Sequence, residues 1–260
     1  MNIVVCIKQV PDTTEVRIDP VKGTIIREGV PSIMNPDDKG GLEMALRLKD
    51  KYGAHVTVLT MGPNQADDML REAFAMGADE AYHLSDRRFA GADTLATSYA
   101  LAGALRVIGY DLIITGRQAI DGDTAQVGPG LAEHLDLPQV SYVESLEFDG
   151  KDKLLCKRVL ENGFQILEVH TPCVVTAVTP AKEARYMTVA GIMDAYDKPV
   201  NLWDADKIDV DQTKLGLKGS PTRVFKSFAK GTKAAGEVHE LTTEEAVDLI
   251  VEKLQEKFII

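Results

Sequence analysis

The sequence predicts an α/β protein built on a doubly wound, mostly parallel sheet. Short apolar, β-branched runs at residues 3–7, 56–60, 81–84 and 112–115 alternate with helical patterns. Parallel strands are covered on both faces, so they are expected to be apolar throughout. The chain has 260 residues, of which 45% are hydrophobic, and this is enough apolar material for a substantial core.

Each helix between these runs has start and stop signals. Asn or Asp can cap a helix start, Pro is tolerated at the first position, and Gly commonly follows the end. The first helix is predicted to begin at Asn35-Pro36, with Asp37 and Asp38 in its first turn. The predicted helix limits are Asn35 and Gly53, about residue 65 and Gly77, and Asp93 and Gly109, with Leu95, Tyr99, Ala102 and Leu105 forming the apolar stripe of the third helix.

Two stretches interrupt the alternation of strands and helices. Residues 16–27 contain two β-rich runs around a proline-containing turn, which predicts a hairpin. Residues 142–178 contain the turn signals Asp149-Gly150 and Glu161-Asn162-Gly163 between alternating runs. We therefore expect an antiparallel hairpin region appended to the parallel sheet.

The last part of the chain has a different pattern. From about residue 180 to 240 the sequence shows little periodicity, and this stretch is too long for an internal loop. A final helix is predicted after Thr242, because Thr242 and Glu245 have the spacing of a capping box. We expect one α/β domain over residues 1–200 and an extended C-terminal arm, ending in a helix and packing on a partner, over residues 201–260.

Charge and composition disfavour several classes of function. The formal net charge of -11 opposes binding to nucleic acid or anionic membranes. No run approaches the roughly 20 apolar residues of a membrane span, and residues 3–7 are too few for a signal-peptide core. Cys6, Cys156 and Cys173 lack the spacing of a disulfide framework or a metal site, which favours a reduced, cytoplasmic setting. The P-loop and hydrolase triad patterns are also missing.

The best candidate site lies at the carboxyl ends of the predicted strands, where open α/β sheets bind ligands. The strand at residues 112–115 leads into a loop whose backbone N–H groups could converge on a phosphate, with Asp123-Thr124 as the expected cap of the next helix. A capped turn without a ligand fits the same local pattern equally well. The segment consists of Gly116, Arg117, Gln118, Ala119, Ile120, Asp121, Gly122, Asp123, Thr124, Ala125, Gln126 and Val127.

Asp121 and Asp123 limit how this loop could hold an anion. Two unit charges ~4 Å apart repel by ~4 kcal/mol at an effective dielectric constant of ~20. A helix end contributes only ~0.3–1 kcal/mol of attraction. We therefore expect both carboxylates to point away from a phosphate and to accept hydrogen bonds from backbone N–H groups, a ribose hydroxyl or Arg117.

Taken in order, several motifs resemble the β subunit of electron-transferring flavoproteins. They are VVCIKQVPD at residues 4–12, MNP at 34–36, ALRLK at 45–49, AMGAD at 75–79, GRQAIDGDTAQVG at 116–128 and EARY at 183–186. The likeness covers nearly the whole length. It implies a subunit that forms a heterodimer with a larger α subunit carrying a redox-active FAD, and that binds an adenine nucleotide of its own.

The resemblance also implies how the nucleotide is bound. The loop from Gly116 to Val127 would cradle its phosphates. In part of the family the nucleotide is AMP with a structural role, and in the electron-bifurcating group it is a second FAD. The small residues at positions 122, 124 and 125 leave room for a dinucleotide, which favours FAD. The other implied nucleotide-binding residues are Cys6, Asn35, Pro36, Asp37, Asp38 and Met61.

The bifurcating group implies a definite route for electrons. NADH would reduce this FAD, one electron would pass to ferredoxin or flavodoxin, and the other would pass through the α-subunit FAD to an acyl-CoA dehydrogenase. The flavin supplies the chemistry, so no catalytic side chain is expected in this subunit. Two alternatives remain open: a non-bifurcating β subunit with AMP, and a stand-alone nucleotide sensor, which the long C-terminal arm disfavours.

A second segment resembles the recognition loop of the family, in which an apolar residue anchors in the dehydrogenase. Val189 stands at that position. Ala184 replaces a proline of the family pattern, so the backbone is less restricted there. From the residues alone a surface strand end fits equally well. The implied partner-binding residues are Ala184, Arg185, Tyr186, Val189, Ile192 and Met193.

Overall fold

The computed structural model describes residues 1–12, 31–178, 184–225, 236 and 238–260. The hairpin predicted at residues 16–27 lies outside the described residues. Backbone packing divides the chain into two compact units, Met1–Lys226 and Ser227–Ile260. The division predicted from sequence, between residues 200 and 201, remains a prediction because it concerns packing on a partner.

The first unit has the predicted α/β architecture. A nine-stranded sheet has the order β11-β5-β4-β1-β6-β10-β7-β8-β9, and β2 pairs with β3 separately. The strands from β11 to β7 in this order are parallel to their neighbours. The strands are β1 (Asn2–Cys6), β2 (Gln9–Pro11), β3 (Ser32–Met34), β4 (His55–Met61), β5 (Glu80–Leu84), β6 (Leu112–Gly116), β7 (Gln139–Phe148), β8 (Lys153–Leu160), β9 (Gly163–His170), β10 (Cys173–Ala177) and β11 (Asn201–Trp203).

Helices cover both faces of the sheet, as a doubly wound fold requires. One buried cluster contains Leu42, Leu46 and Leu70 from the first two helices, and another contains Leu105 and Leu131 from the next two. The helices are α1 (Pro36–Tyr52), α2 (Asp67–Met76), α3 (Thr94–Ile108), α4 (Val127–Leu135), α5 (Val189–Asp197), α6 (Gly216–Gly219) and α7 (Thr243–Glu256).

The predicted helix limits are confirmed, with two local differences. Gly53 ends α1 in the left-handed conformation at φ 67°, and the Asp93 carboxylate caps α3 by accepting from the N–H of Ala96 at 3.0 Å. Leu95, expected on the buried stripe of α3, is 49% exposed. Asn35 precedes α1 as predicted, but its side chain makes no capping hydrogen bond.

The antiparallel excursion is also confirmed. Strands β7, β8 and β9 form a meander at one end of the sheet, and β10 returns to pair in parallel with β6 and β7. The Asp149 carboxylate stabilises the first turn by accepting from the N–H groups of Lys151, Asp152 and Lys153. The sequence therefore places both turns correctly.

The stretch after residue 183 contains more regular structure than its pattern indicates. Helix α5 packs on α2, and β11 extends the sheet beside β5. Gly191 permits the first contact, because a Cβ there would collide with the carbonyl oxygen of Ala75. Strand β11 has three residues, too few for a periodic signal.

The second unit contains α7, whose Thr242 and Glu245 form the predicted capping box. No helix among the described residues has the length and apolar character needed to cross a membrane.

Candidate functional site

Strands β4, β1 and β6 are neighbours, so their carboxyl ends meet at the edge where α/β sheets bind ligands. Met61 and Gly116 end two of these strands. A cleft of about 130 Å³ opens beside them. Its lining includes Lys8, Thr60, Met61, Gly62, Pro63 and Asp121.

Asp38, in the first turn of α1, joins the ends of two of these strands. Its carboxylate accepts from the backbone N–H of Lys8 at 2.8 Å and of Gly116 at 2.9 Å. Glycine is required at position 116 because a Cβ would collide with the Asp38 side chain. The carboxylate is thus a structural link between β1 and β6.

Burial is the main influence on the pKa of the Asp38 carboxyl group. Burial raises the pKa of Asp38 to about 7, although hydrogen bonds from Asn35, Lys8 and Gly116 oppose the increase. Burial, reinforced by the charge of Asp38, raises the pKa of the Cys6 thiol to about 12. Cys6 is therefore a neutral, packed side chain. All three cysteines are free and buried.

Asn35 is fully buried and is directed at the loop rather than at its own helix. Its side-chain N–H donates to the carbonyl of Gln118 at 2.8 Å, and its oxygen accepts from the N–H of Ile120 at 3.0 Å. The Asn35 side chain thus donates one hydrogen bond to the loop backbone and accepts another from it, as the backbone of a neighbouring β-strand does. The N-cap predicted for Asn35 is replaced by this tertiary role.

The loop itself turns tightly before α4 begins. The carbonyl of Ala119 accepts from the N–H groups of Gly122 at 3.2 Å and Asp123 at 2.8 Å. Asp123 and Ala125 have φ angles of 48° and 53°, in the left-handed region. Helix α4 starts at Val127, so the expected cap at Asp123-Thr124 is wrong, because the left-handed residues delay the helix.

The two aspartates of the loop make hydrogen bonds to side chains of this chain. Lys8 donates to Asp121 at 2.7 Å, and the Gln118 amide donates to Asp123 at 2.9 Å. Arg117, expected to contact these carboxylates, lies 3.2 Å from Asp37 instead. Lys8 is a partner that the sequence analysis missed, although its place directly after a strand of the ligand edge was a usable signal.

Several backbone donors of the loop remain without a protein acceptor. Among the described residues, none accepts from the N–H groups of Thr124, Ala125 and Gln126. Gln126 is the N-cap of α4 and makes no side-chain capping bond, and the described part of the chain also offers no acceptor to the N–H groups of Val127 and Gly128. These donors and the positive end of the helix dipole suit an anionic group. In the described ranges, no group of three or more His, Cys, Asp or Glu is arranged to hold a metal ion.

The structure therefore brings most predicted nucleotide-binding residues together. Asn35, Asp37 and Asp38 contact the loop, and Met61 lines the same cleft as Asp121. Cys6 is buried behind them, and Pro36 occupies the first turn of α1. The implied roles of these residues toward a ligand remain predictions.

The segment from Ala184 to Met193 does not line this cleft. In contrast to the loop, most of its large side chains are exposed to solvent. Tyr186 is 84% exposed and Val189 is 79% exposed, and Ile192 and Met193 are exposed beside them on α5. The Thr188 side chain caps this helix by accepting from the N–H of Gly191 at 2.9 Å. The segment thus presents an apolar surface to solvent.

Arg185 is engaged by its own chain. It donates to Glu43 at 2.8 Å and to Asp50 at 2.7 Å, both on α1. Burial disfavours ionisation of Glu43, but the hydrogen bonds from Arg185 outweigh it and lower the pKa of that carboxyl. Ala184 packs against the core. These two residues fix the start of the segment, while the others are available for contact.

Comparisons with known proteins converge on one family. The electron transfer flavoprotein domain matches residues 22–208. The electron transfer flavoprotein subunit beta of Clostridium acetobutylicum is 60% identical over 260 residues, 100% of both chains. The caffeyl-CoA reductase-Etf complex subunit CarD of Acetobacterium woodii is 53% identical over 263 residues, and the acryloyl-CoA reductase electron transfer subunit gamma of Anaerotignum propionicum is 46% identical over 269, both again along 100% of the two chains.

Proposed function

The chain belongs to the electron transfer flavoprotein family as a β subunit, and on that premise we propose that it binds FAD at the carboxyl edge of its sheet. In the proposed function this FAD accepts hydride from NADH. One electron then goes to ferredoxin or flavodoxin, and the other goes through the FAD of the α subunit to an acyl-CoA dehydrogenase. Subunits of this family pair with an α subunit.

The loop after β6 is the observation that carries this proposal. Thr124, Ala125 and Gln126 offer backbone N–H groups at the start of α4, which suits the phosphates of a nucleotide. Asn35 and Asp38 hold the loop and the adjacent strand ends in place. Lys8 pairs with the charge of Asp121, and the Gln118 amide holds the Asp123 carboxylate by a hydrogen bond, which reduces the repulsion that would oppose a phosphate.

Space beside the loop supports FAD over AMP. A Cβ placed on Gly122 would meet no atom of the described chain within 4 Å, so the loop leaves this side open. The names of two relatives place them with a caffeyl-CoA reductase and an acryloyl-CoA reductase, which supports an acyl-CoA flavoenzyme as the partner here. When bound, the flavin supplies the electron chemistry, and the residues of this chain orient it and shield it from water.

Electron exchange with the dehydrogenase is assigned to the exposed segment. Tyr186, Val189, Ile192 and Met193 form an apolar patch of the kind that marks docking sites. Arg185 and Ala184 position this patch by their contacts with the body of the subunit. We assign the protein to the cytoplasm, where its three free cysteines would stay reduced.

Release of the bound nucleotides tests the proposal directly. The chain is co-expressed with its α subunit, the heterodimer is purified and denatured, and the nucleotides are separated by chromatography. Two FAD per heterodimer support the proposal, whereas one FAD and one AMP establish the alternative of a structural nucleotide. Reduction of the flavin by NADH is then followed by absorbance.

Gly122→Val tests the role of the loop without disturbing the fold. Since the structure leaves space at Gly122, a valine there should change the free energy of unfolding by less than about 0.5 kcal/mol. Nucleotide content should nevertheless fall, because the side chain would occupy the space of the ligand. Gly236→Val is the control for nucleotide content, because Gly236 is exposed and a Cβ there also meets no described atom within 4 Å. Full occupancy in Gly122→Val would remove this part of the proposal.

A further inference from the structure

We propose that the outer face and free edge of the β8–β9 hairpin form the surface on which the α subunit docks. We define the outer β8–β9 face as Leu155, Val159, Phe164 and Ile166. This inference rests on family membership and not on which nucleotide is bound.

The hairpin has exposed apolar side chains on its outer face and buried ones on its inner face. Side chains alternate between faces along a strand, and Leu154, Cys156 and Val169 pack into the core on one side. On the other side Phe164 is 60% and Ile166 52% exposed, with Leu155 and Val159 exposed as well. Val159 lies directly opposite Phe164 in the strand pairing. A sheet with a single buried face is expected to have polar residues on the other, so this face is suited to being covered.

The edge strand of the hairpin, β9, also has unpaired backbone groups along its outer side. Within the described residues β9 is the last strand of the sheet, and it pairs with β8 over eight residues without a bulge. The strands are joined by a two-residue turn, so the residues flanking it, Leu160 and Gly163, exchange hydrogen bonds. The backbone N–H groups of Phe164, Ile166 and Glu168 therefore point away from β8. Exposed edges of this kind are usually protected by proline, lysine or a bulge, which β9 does not contain.

Two charged residues share this face with the apolar ones, since Lys157 lies opposite Ile166 and Glu168 lies opposite Leu155 in the strand pairing. Lys157 pairs with Glu144 at 2.9 Å, and Lys153 pairs with Glu168 at 2.8 Å. The Lys157 ammonium also lies 4.8 Å from the centre of the Phe164 ring. Both charges are paired within the chain, so a partner can cover the face without burying an unpaired charge.

The size and place of the surface favour the α subunit over the dehydrogenase. Two strands of eight residues present roughly 250 Å², about a third of the ~800 Å² that each partner contributes to a stable interface. A permanent partner that continues along the free edge can supply the rest. The dehydrogenase is assigned to α5, which packs on α2 near the opposite end of the sheet from β9. Both partners can therefore bind at the same time.

Hydrogen exchange on the intact heterodimer tests the edge. We expect the amides of Phe164, Ile166 and Glu168 to exchange at least ~30-fold more slowly than unpaired, exposed amides, because the α subunit covers them. The amide of Gly150, in the exposed turn before β8, has no acceptor among the described residues and is the internal reference for an unpaired amide outside the proposed surface. Unprotected β9 amides would overturn the proposal.

A pair of variants tests the face. Phe164→Asp with Ile166→Asp should weaken the heterodimer at least ~30-fold, measured by sedimentation of diluted complex. Val189→Asp with Met193→Asp changes two apolar residues of α5 that are even more exposed, at 79% and 71%, and as the matched control it should leave the heterodimer intact. An unchanged dissociation constant for the double variant would contradict the proposal, and so would a wild-type β-chain homodimer that the variant abolishes. Loss of nucleotide with the heterodimer intact would instead count against the proposed FAD site.

Discussion

The loop after β6 and the segment leading into α5 are both irregular, yet they are built in opposite ways. Asn35, Asp38 and Lys8 hold the loop or its flanking strand ends through hydrogen bonds to the backbone and to a carboxylate. The α5 segment is fixed only at its start by Arg185, and beyond it Tyr186 and Val189 extend into solvent.

This difference indicates two kinds of binding. A small anionic ligand is bound well when its donors are already in position, because little order has to be created on binding. A protein partner can instead be bound by exposed apolar side chains that fill its pockets. Changes in the residues that hold the loop should therefore affect folding and nucleotide binding together, whereas changes on α5 should affect only docking.

The largest effect is expected from Asp38→Ala. Removing the carboxylate leaves the N–H groups of Lys8 and Gly116 buried without an acceptor, and each costs ~1–3 kcal/mol. We expect the free energy of unfolding to fall by about 3 kcal/mol, measured by urea denaturation, with loss of bound nucleotide. Asp38→Asn, which keeps one acceptor oxygen, should restore part of the stability. An unchanged midpoint for Asp38→Ala would show that the link does not stabilise the loop.

The pH dependence of stability, taken over one pH unit, should come next in size. The pKa of Asp38 in the folded protein is raised to about 7, so between pH ~4 and ~7 the native state binds more protons than the unfolded state. This group therefore lowers the free energy of unfolding as pH rises through that window, by up to ~1.4 kcal/mol per pH unit. Denaturation at several pH values should show a flatter profile for Asp38→Asn, and parallel profiles would disprove the assignment.

Asn35→Asp should have a moderate effect. The carboxylate can still accept from Ile120 but can no longer donate to Gln118, and it adds a charge near the proposed phosphates. We expect a loss of ~1–2 kcal/mol in stability and at least ~10-fold weaker nucleotide binding by equilibrium dialysis. Gln139→Glu makes the same chemical change at an exposed site, and equal losses in both variants would sink the proposed role.

Lys8→Ala should have a small effect. Its ion pair with Asp121 is half exposed, and such pairs contribute ~0–1 kcal/mol. Nucleotide affinity should fall only a few-fold, since Asp121 loses its neutralising partner. Lys8→Arg should restore the affinity, and the difference between wild type and Lys8→Ala should shrink at ~1 M salt. A salt-independent difference would contradict this electrostatic role.

The smallest effect on folding is expected from Val189→Glu. The side chain is exposed, so the free energy of unfolding should change by less than ~0.5 kcal/mol and nucleotide content should stay the same. Electron transfer to the acyl-CoA dehydrogenase should slow at least ~10-fold at subsaturating concentrations. Equal rates for the variant and wild type would mean that docking occurs elsewhere.

Local patterns predicted the core of the fold because they were strong and long. The four apolar runs became β1, β4, β5 and β6, and the two turn signals delimited the meander correctly. Strand β11 and helix α5 were missed because their stability depends on packing against β5 and α2, which a short segment does not reveal.

The site was predicted in outline, but its internal bonds were not. The position of the loop followed from the strand order, whereas the link from Lys8 to Asp121 joins residues 113 positions apart. Asn35 looked like a helix cap because its neighbours fit that pattern, and only the tertiary structure reveals its contact with the loop. Asp38 showed no sequence signal for burial, since acids are common in a first helical turn.

Asn35 contacts peptide groups of the loop and not its side chains. The residues at positions 118 and 120 can therefore be exchanged for others while the same two hydrogen bonds persist. At these two positions the hold on the loop depends on the asparagine and not on the identity of the residue it contacts. A β subunit could in this way change its preference among nucleotides by single substitutions, without rebuilding the frame that presents the loop.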